Sequence, residues 1–300
     1  MKKLYFNYID SFKGLSKEIW YLALITLVNR AGTMVIPFLS LYLNKDLDFS
    51  KEDVGWILVC FGIGSVIGSW LGGKLTDKIG FYKVMSYSLF ITGLSFIALQ
   101  YITSFWGLCF AILFLMSVAD TFRPALFVSL KTYSKPENRT RSLALIRLAI
   151  NAGMGIGPTI AGLVIVIKGY GILFWIDGLT CILAILLFRY LVKEPKKMIF
   201  KTETNTPIVE KNSVYQDKTY WIFLGICFFF GMAFFQLIFT LPLYYEEVFG
   251  LNEFKIGLIM FLNVGIIVVF EMPLISYLEK RLITVIKQIT MACGLLAISY

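Results

Sequence analysis

The sequence predicts an all-α membrane protein, on three observations. Hydrophobic residues make up 58% of the 300-residue chain, mean hydropathy is +0.77 and only 16% of residues are charged, against roughly 25% charged in a soluble domain. The apolar residues come in runs, and a helix needs about 20 of them to cross a bilayer. Basic residues collect in alternate connections between the runs, which is the sorting that membrane insertion imposes.

Nine runs read as spans, at 19–43, 54–73, 84–103, 106–129, 143–167, 170–191, 219–243, 254–276 and from 285 onward. The segment before span 1 is basic and amphipathic and lacks the apolar core and small-residue cleavage site of a signal peptide, so span 1 is expected to act as an uncleaved insertion signal. Between spans 1 and 2, Ser50 suits a helix N-cap, and Glu52 and Asp53 suit the positive end of the helix that follows. No function is expected of that connection. Between spans 2 and 3 stands a polar knot, Gly73-Lys74-Leu75-Thr76-Asp77-Lys78-Ile79-Gly80-Phe81-Tyr82-Lys83.

With the N-terminus on the cytoplasmic side, 21 basic residues fall on that side and only Lys45, Lys51, Lys168 and Lys255 on the other. This predicts a multi-pass protein of the plasma (inner) membrane with a cytoplasmic N-terminus. The net charge of +9 then reads as topology and attraction to anionic lipid. Nucleic acid is not an expected partner, because no basic patch is interleaved with stacking aromatics. Cys60, Cys109, Cys181, Cys227 and Cys293 all lie within spans without paired spacing, so neither a disulfide framework nor a zinc site is expected. The chain has no histidine, which leaves carboxylates as the groups for any proton coupling. No G-x-x-x-x-G-K-[ST] loop is present; no cofactor, metal or enzymatic activity is expected.

The chain repeats at an offset of 202 residues. Leu39, Leu41, Tyr42, Val54, Gly55 and Ile57 recur as Leu241, Leu243, Tyr244, Ile256, Gly257 and Ile259, and Asp77-Lys78 recurs as Glu279-Lys280. Shared Tyr, Gly and acid-base positions in one ungapped register predict an internal duplication. The expected organisation is a six-helix bundle over 1–192, a polar cytoplasmic linker over 193–218, and the start of a second bundle over 219–300. The same register expects the second bundle to be incomplete, with about three of its helices in this chain.

The knot resembles the cytoplasmic loop signature of the major facilitator superfamily, G-x-L-x-D-x-x-G-R-R-x. Gly73, Leu75, Asp77, Lys78, Gly80 and Lys83 fit it, and Phe81 and Tyr82 stand where the family has basic residues. The resemblance implies two six-helix bundles rocking about a midplane cavity, with Gly73, Asp77, Lys78, Gly80 and Lys83 as a cytoplasmic latch. The plainer reading is a short loop held at the headgroups. Independently, Gly72 and Gly73 are expected to let a facing helix approach span 2. Span 5 carries Gly153, Gly157, Pro158 and Gly162, with small residues four apart and a proline that bends the helix. This pattern resembles the family's antiporter motif, G-x8-G-x3-G-P-x2-G-G, with Ala144 and Ala161 in place of two glycines. The motif implies export in exchange for protons, and the alternative is a helix that simply packs tightly.

An ionisable residue inside a span costs about 2.5 to 3.5 kcal/mol on insertion scales and so marks a cavity or a partner. Arg30, Asp120, Arg123, Arg147 and Glu271 are the candidates for proton or substrate coupling, with Asn151 one turn after Arg147. Asp177 is expected to cap or pair locally near the outer surface. Asp120 and Arg123, three apart, share a helix face, either as a structural pair or as a switch in which protonation of Asp120 frees Arg123. Arg30, Arg147 and Asn151 suit an anionic substrate, or hold the Asp120 carboxylate ionised. Gln236, Asn263 and the phenylalanines of span 7 are further cavity candidates. Span 1 lacks the E-x-x-E-R signature of the peptide-transporting branch, which argues against peptide symport.

These readings predict a secondary transporter that exports small organic molecules, with protons as the coupling ion. The alternatives are a proton-coupled nutrient symporter, a non-transporting membrane sensor and a membrane-bound enzyme.

Overall fold

The computed structural model describes residues 14–195, 216–280 and 284–299, without the side chains at 140, 271–280, 285 and 299. The regular structure among these residues is helical: α1 (Lys17–Ala31), α2 (Val35–Leu41), α3 (Lys51–Ile79), α4 (Phe81–Leu99), α5 (Phe105–Ala119), α6 (Phe122–Tyr133), α7 (Arg139–Lys168), α8 (Gly171–Leu191), α9 (Lys218–Phe239), α10 (Leu241–Phe249), α11 (Glu253–Lys280) and α12 (Val285–Ser299). Most of the expected 193–218 linker lies outside the described residues.

Eight segments are long and apolar enough to cross a membrane, and a ninth, Ile286–Ile298, is apolar but shorter. Span 1 comprises α1, α2 and a π turn at Tyr42–Asp46; span 4 comprises α5 and α6; spans 2, 3, 5, 6, 7 and 8 are α3, α4, α7, α8, α9 and α11. Large apolar side chains such as Val66 (72% exposed) and Trp106 (71%) face outward, as expected where the solvent is lipid.

Three proline positions explain why two spans are broken and a third ends early. A proline inside a helix removes an N–H and crowds the carbonyl four residues back. Pro37 stands four after Thr33, where α1 gives way to α2, and Pro124 stands four after Asp120, where α5 gives way to α6. Pro242 likewise follows the end of α9 at Phe239 and sits in the first turn of α10. Pro158 behaves differently, with α7 running through it to Lys168.

Consecutive spans run between two ends. The distal end carries the connections after Asp46, Leu99, Lys168 and Phe249, and its core gathers Leu43, Val54, Leu99, Leu108, Tyr170 and Ile256. The proximal end carries Ser16, Gly80 and Asn138, and its core gathers Ile19, Phe81, Leu130, Leu145 and Phe188. The main helix pairs are α3 with α5, α4 with α8, α1 with α7 and α8, and α7 with α11.

The 202-residue register also appears in the helix starts. Ser50 Oγ accepts from the Asp53 N–H at 3.1 Å at the start of α3, and Asn252 Oδ1 accepts from the Lys255 N–H at 3.0 Å at the start of α11. The two caps stand 202 residues apart and each serves the third helical residue. The polar knot departs from the expected loop. The helix continues through Lys74, Asp77 and Lys78, and Gly80 alone, at φ +87°, turns the chain directly into α4. That left-handed φ region favours a residue without Cβ.

Candidate functional site

At the break in span 1, Gly32 abuts Thr180 of α8 so closely that a Cβ there would stand 2.5 Å from the Thr180 Cβ. Asp177, one turn earlier on α8 and 1% exposed, accepts from the Met34 N–H at 2.8 Å and the Val35 N–H at 2.9 Å. Helix termini leave backbone donors unpaired, and this carboxylate supplies the acceptors that restarting span 1 requires. Asp177 therefore caps, as expected, but in the buried interior and across 143 residues of sequence.

At the break in span 4, Asp120 ends α5 with 8% exposure. It accepts from Ser65 Oγ of α3, and its other oxygen lies 3.6 Å from a guanidinium nitrogen of Arg123, whose side chain is 58% exposed. Among the described residues, Arg30 Nε is buried without a hydrogen bond. The structure thus brings together Asp120 and Arg123 from the predicted set and adds Ser65.

What lets α3 reach Asp120 is a glycine ladder. A Cβ on Gly64 would stand 2.5 Å from the Leu113 carbonyl, on Gly68 2.7 Å from that of Ser117, and on Gly72 2.7 Å from the Thr121 Cα. The contacts recur every four residues, so one face of α3 lies directly on the backbone of span 4. Gly72 belongs to this face as expected. Gly73 does not, since nothing stands within 4 Å of a Cβ there.

Span 5 is clamped on two sides. A Cβ on Gly153 would stand 2.5 Å from the Arg30 Cβ, and one on Gly157 2.9 Å from the Ala31 carbonyl of span 1. On the other side Gly162 rests on Glu253 and Phe254, and Gly257 of α11 on Pro158. Thr159 Oγ1, four after Gly155, donates to the Gly155 carbonyl at 3.0 Å and to the Gly257 carbonyl at 3.2 Å. Arg147 and Asn151, on the same helix, are each engaged by neighbours. The Glu271 side chain lies outside the described residues.

The distal end holds a charged cluster that the sequence reading assigned no role. Lys45 Nζ lies 3.0 Å from Glu246 and 3.4 Å from Glu253, and Lys51 Nζ 2.9 Å from Glu247. The Tyr170 hydroxyl donates to Glu253 at 2.9 Å. Burial, then the neighbouring Glu253 carboxylate, pushes the Tyr170 phenol up from its ordinary pKa, so it remains a protonated donor. These contacts join spans 1 and 2 and the head of span 6 to α10 and α11. A signal was available, because Lys45 and Lys51 are two of the four basic residues on the lysine-poor side.

At the proximal end Asp77, Lys78, Gly80 and Lys83 are exposed, and among the described residues Asp77 forms no ion pair. A cleft of about 600 Å³ between α9 and α12 is lined by Phe229, Phe230 and Gln236 with apolar neighbours. None of the candidate ionisable residues lines it.

Residues 22–300 match the Major Facilitator Superfamily. The chain belongs to that superfamily. This facilitator chain is 24% identical over 230 residues to the uncharacterized MFS-type transporter YuxJ of Bacillus subtilis, covering 74% of this chain and 58% of the relative. It is 25% identical over 239 residues to the quinolone resistance protein NorA of Staphylococcus aureus, covering 76% of this chain and 58% of NorA. The facilitator chain therefore spans less than two thirds of the length of these relatives.

Proposed function

We propose that this chain forms the greater part of a secondary active transporter that exports small organic molecules in exchange for protons by alternating access. The observation that carries the reading is Asp120, a buried carboxylate at a break in span 4. It is held by one serine and one loosely seated arginine rather than by a tight ion pair. Protonating Asp120 removes the charge that holds Arg123, and a substrate entering the same site has the converse effect. Coupling of this kind needs a group whose charge state and partner change together.

The remaining geometry supports rocking of an N-terminal bundle, 1–192, against a second bundle beginning near 219. The distal end is drawn together by Lys45, Lys51 and Tyr170, the arrangement of a transporter closed at its distal side. With that side cytoplasmic in the plasma membrane, as the lysine and arginine sorting supports, Gly73, Asp77, Lys78, Gly80 and Lys83 form a latch that engages when the distal cluster parts. The span 5 face, Gly153 to Gly162, is the bearing between the halves. Similarity to NorA supports export over uptake. The test is accumulation of a fluorescent quinolone in cells producing the full gene product. Accumulation falls relative to cells producing D120N, and a protonophore abolishes the difference. Equal accumulation in both rejects the reading.

A further inference from the structure

The glycine ladder between α3 and span 4 keeps one register. Gly64 meets Leu113, Gly68 meets Ser117 and Gly72 meets Thr121, so each partner stands 49 positions after its glycine. A constant offset is the mark of two helices running in parallel, here both from the distal end. One turn nearer that end, the same offset pairs Cys60 with Cys109. The packing agrees with the register. Cys109 is 6% exposed within the distal core, Cys60 packs against that core from α3, and the two thiols are hydrogen-bonding neighbours. Both cysteines are free. A disulfide needs Cα atoms about 4.4 to 6.8 Å apart, whereas helix axes usually lie about 8 to 10 Å apart. The pair therefore depends on α3 lying on the backbone of span 4, and one turn away a Cβ on Gly64 would stand 3.1 Å from the Leu113 Cα.

We propose that Cys60 and Cys109 are a redox-active thiol pair, closing to a disulfide across spans 2 and 4 on meeting a small neutral disulfide and reopening with thiol. The pair is independent of the transport reading. Cys60 is half-buried and Cys109 buried, so the reagent meets Cys60 first. The Cys60 sulfur attacks one reagent sulfur, the reagent S–S bond breaks, and one thiol leaves with the Cys60 proton. Cys109 then attacks the Cys60 sulfur of the mixed disulfide, and the second thiol leaves with the Cys109 proton. The pair loses two electrons and the reagent gains them as two thiols. Closure fixes α3 on span 4 one turn from Gly64, and with it the approach of Ser65 to Asp120.

The experiment uses the full gene product in detergent with every cysteine except Cys60 and Cys109 replaced by serine. The reagent is dithiodipyridine, whose product thiopyridone is read by absorbance. At equimolar reagent, two thiopyridones are expected per protein, the intact mass falls by two hydrogens, peptide mapping joins Cys60 to Cys109, and dithiothreitol restores both thiols. Cys109→Ser halves the release and keeps a thiopyridyl adduct on Cys60. Cys60→Ser with Phe61→Cys moves the thiol about 100° around the helix, to the side where Phe61 meets Phe239, and gives the adduct without the bridge. An adduct that persists beside a free Cys109, a bridge between copies, or no reaction in the folded protein when both thiols react after unfolding overturns the pair. So does a bridge that forms equally well from Phe61→Cys.

Discussion

Asp177 on span 6 and Val35 on span 1 are joined by a 2.9 Å hydrogen bond from the Val35 N–H to a carboxylate oxygen, with the Met34 N–H donating alongside at 2.8 Å. One side chain thus serves the backbone of a helix broken in mid-membrane, where no water replaces it. Asp177→Ala leaves two buried N–H groups without acceptors, at a cost of about 2 to 4 kcal/mol. Asp177→Asn keeps one acceptor oxygen and costs less. Thermal unfolding in detergent checks this order, and an alanine variant that melts with the wild type contradicts it.

Gly72 and Gly73 are adjacent in the sequence and unlike in the structure. Gly72→Ala drives a methyl against the Thr121 Cα, 2.7 Å from the Cβ position, while Gly73→Ala meets nothing within 4 Å. Gly72→Ala should lower stability by about 1 to 3 kcal/mol, the usual range for overpacking, and Gly73→Ala by less than about 0.5 kcal/mol. Should Gly73→Ala retain its fold yet lose transport, its role lies in the latch rather than in packing.

The spans were legible because their apolar runs are long, and so was the Asp120–Arg123 pair, because three residues separate neighbours on a helix face. The breaks were not legible from hydropathy, since Gly32, Thr33 and Met34 interrupt no apolar run. Pro37 and Pro124 carried that signal. The register of Gly64 and Gly68 against Leu113 and Ser117 was hidden because it depends on which helix lies opposite. So was the pairing of Lys45 with Glu246 and Glu253, which joins residues about 200 positions apart.

Across the distal end, Lys51 and Glu247 meet at 2.9 Å with side chains 69% and 37% exposed. Exposed pairs contribute only about 0 to 1 kcal/mol, so Lys51→Ala should leave the melting temperature nearly unchanged. Lys51→Cys with Glu247→Cys, in a background with the native cysteines replaced, should cross-link under mild oxidation. In the full gene product the cross-link should abolish transport and reductant should restore it. Full transport by the cross-linked protein contradicts a distal gate.

The close packing of spans 5 and 8 makes a sharper demand. Gly162→Leu forces a side chain into the Glu253 carbonyl and the Phe254 backbone, where the Glu253 carbonyl carbon stands 2.8 Å and the Phe254 Cα 2.9 Å from the Cβ position. Transport should fall at least about tenfold, equivalent to 1.4 kcal/mol, with the protein still inserted in the membrane. Gly265→Ala, where the position is open, should be silent. A tolerated Gly162→Leu would separate the two helices in the working protein.

Substrate-dependent proton movement tests the central claim most directly. The purified full gene product is reconstituted in proteoliposomes with a pH-sensitive dye inside, and norfloxacin is added under an imposed proton gradient. The account predicts proton flux that rises with norfloxacin and disappears in D120N while D120N still binds the drug. Norfloxacin movement without proton movement, or undiminished proton flux in D120N, would contradict it.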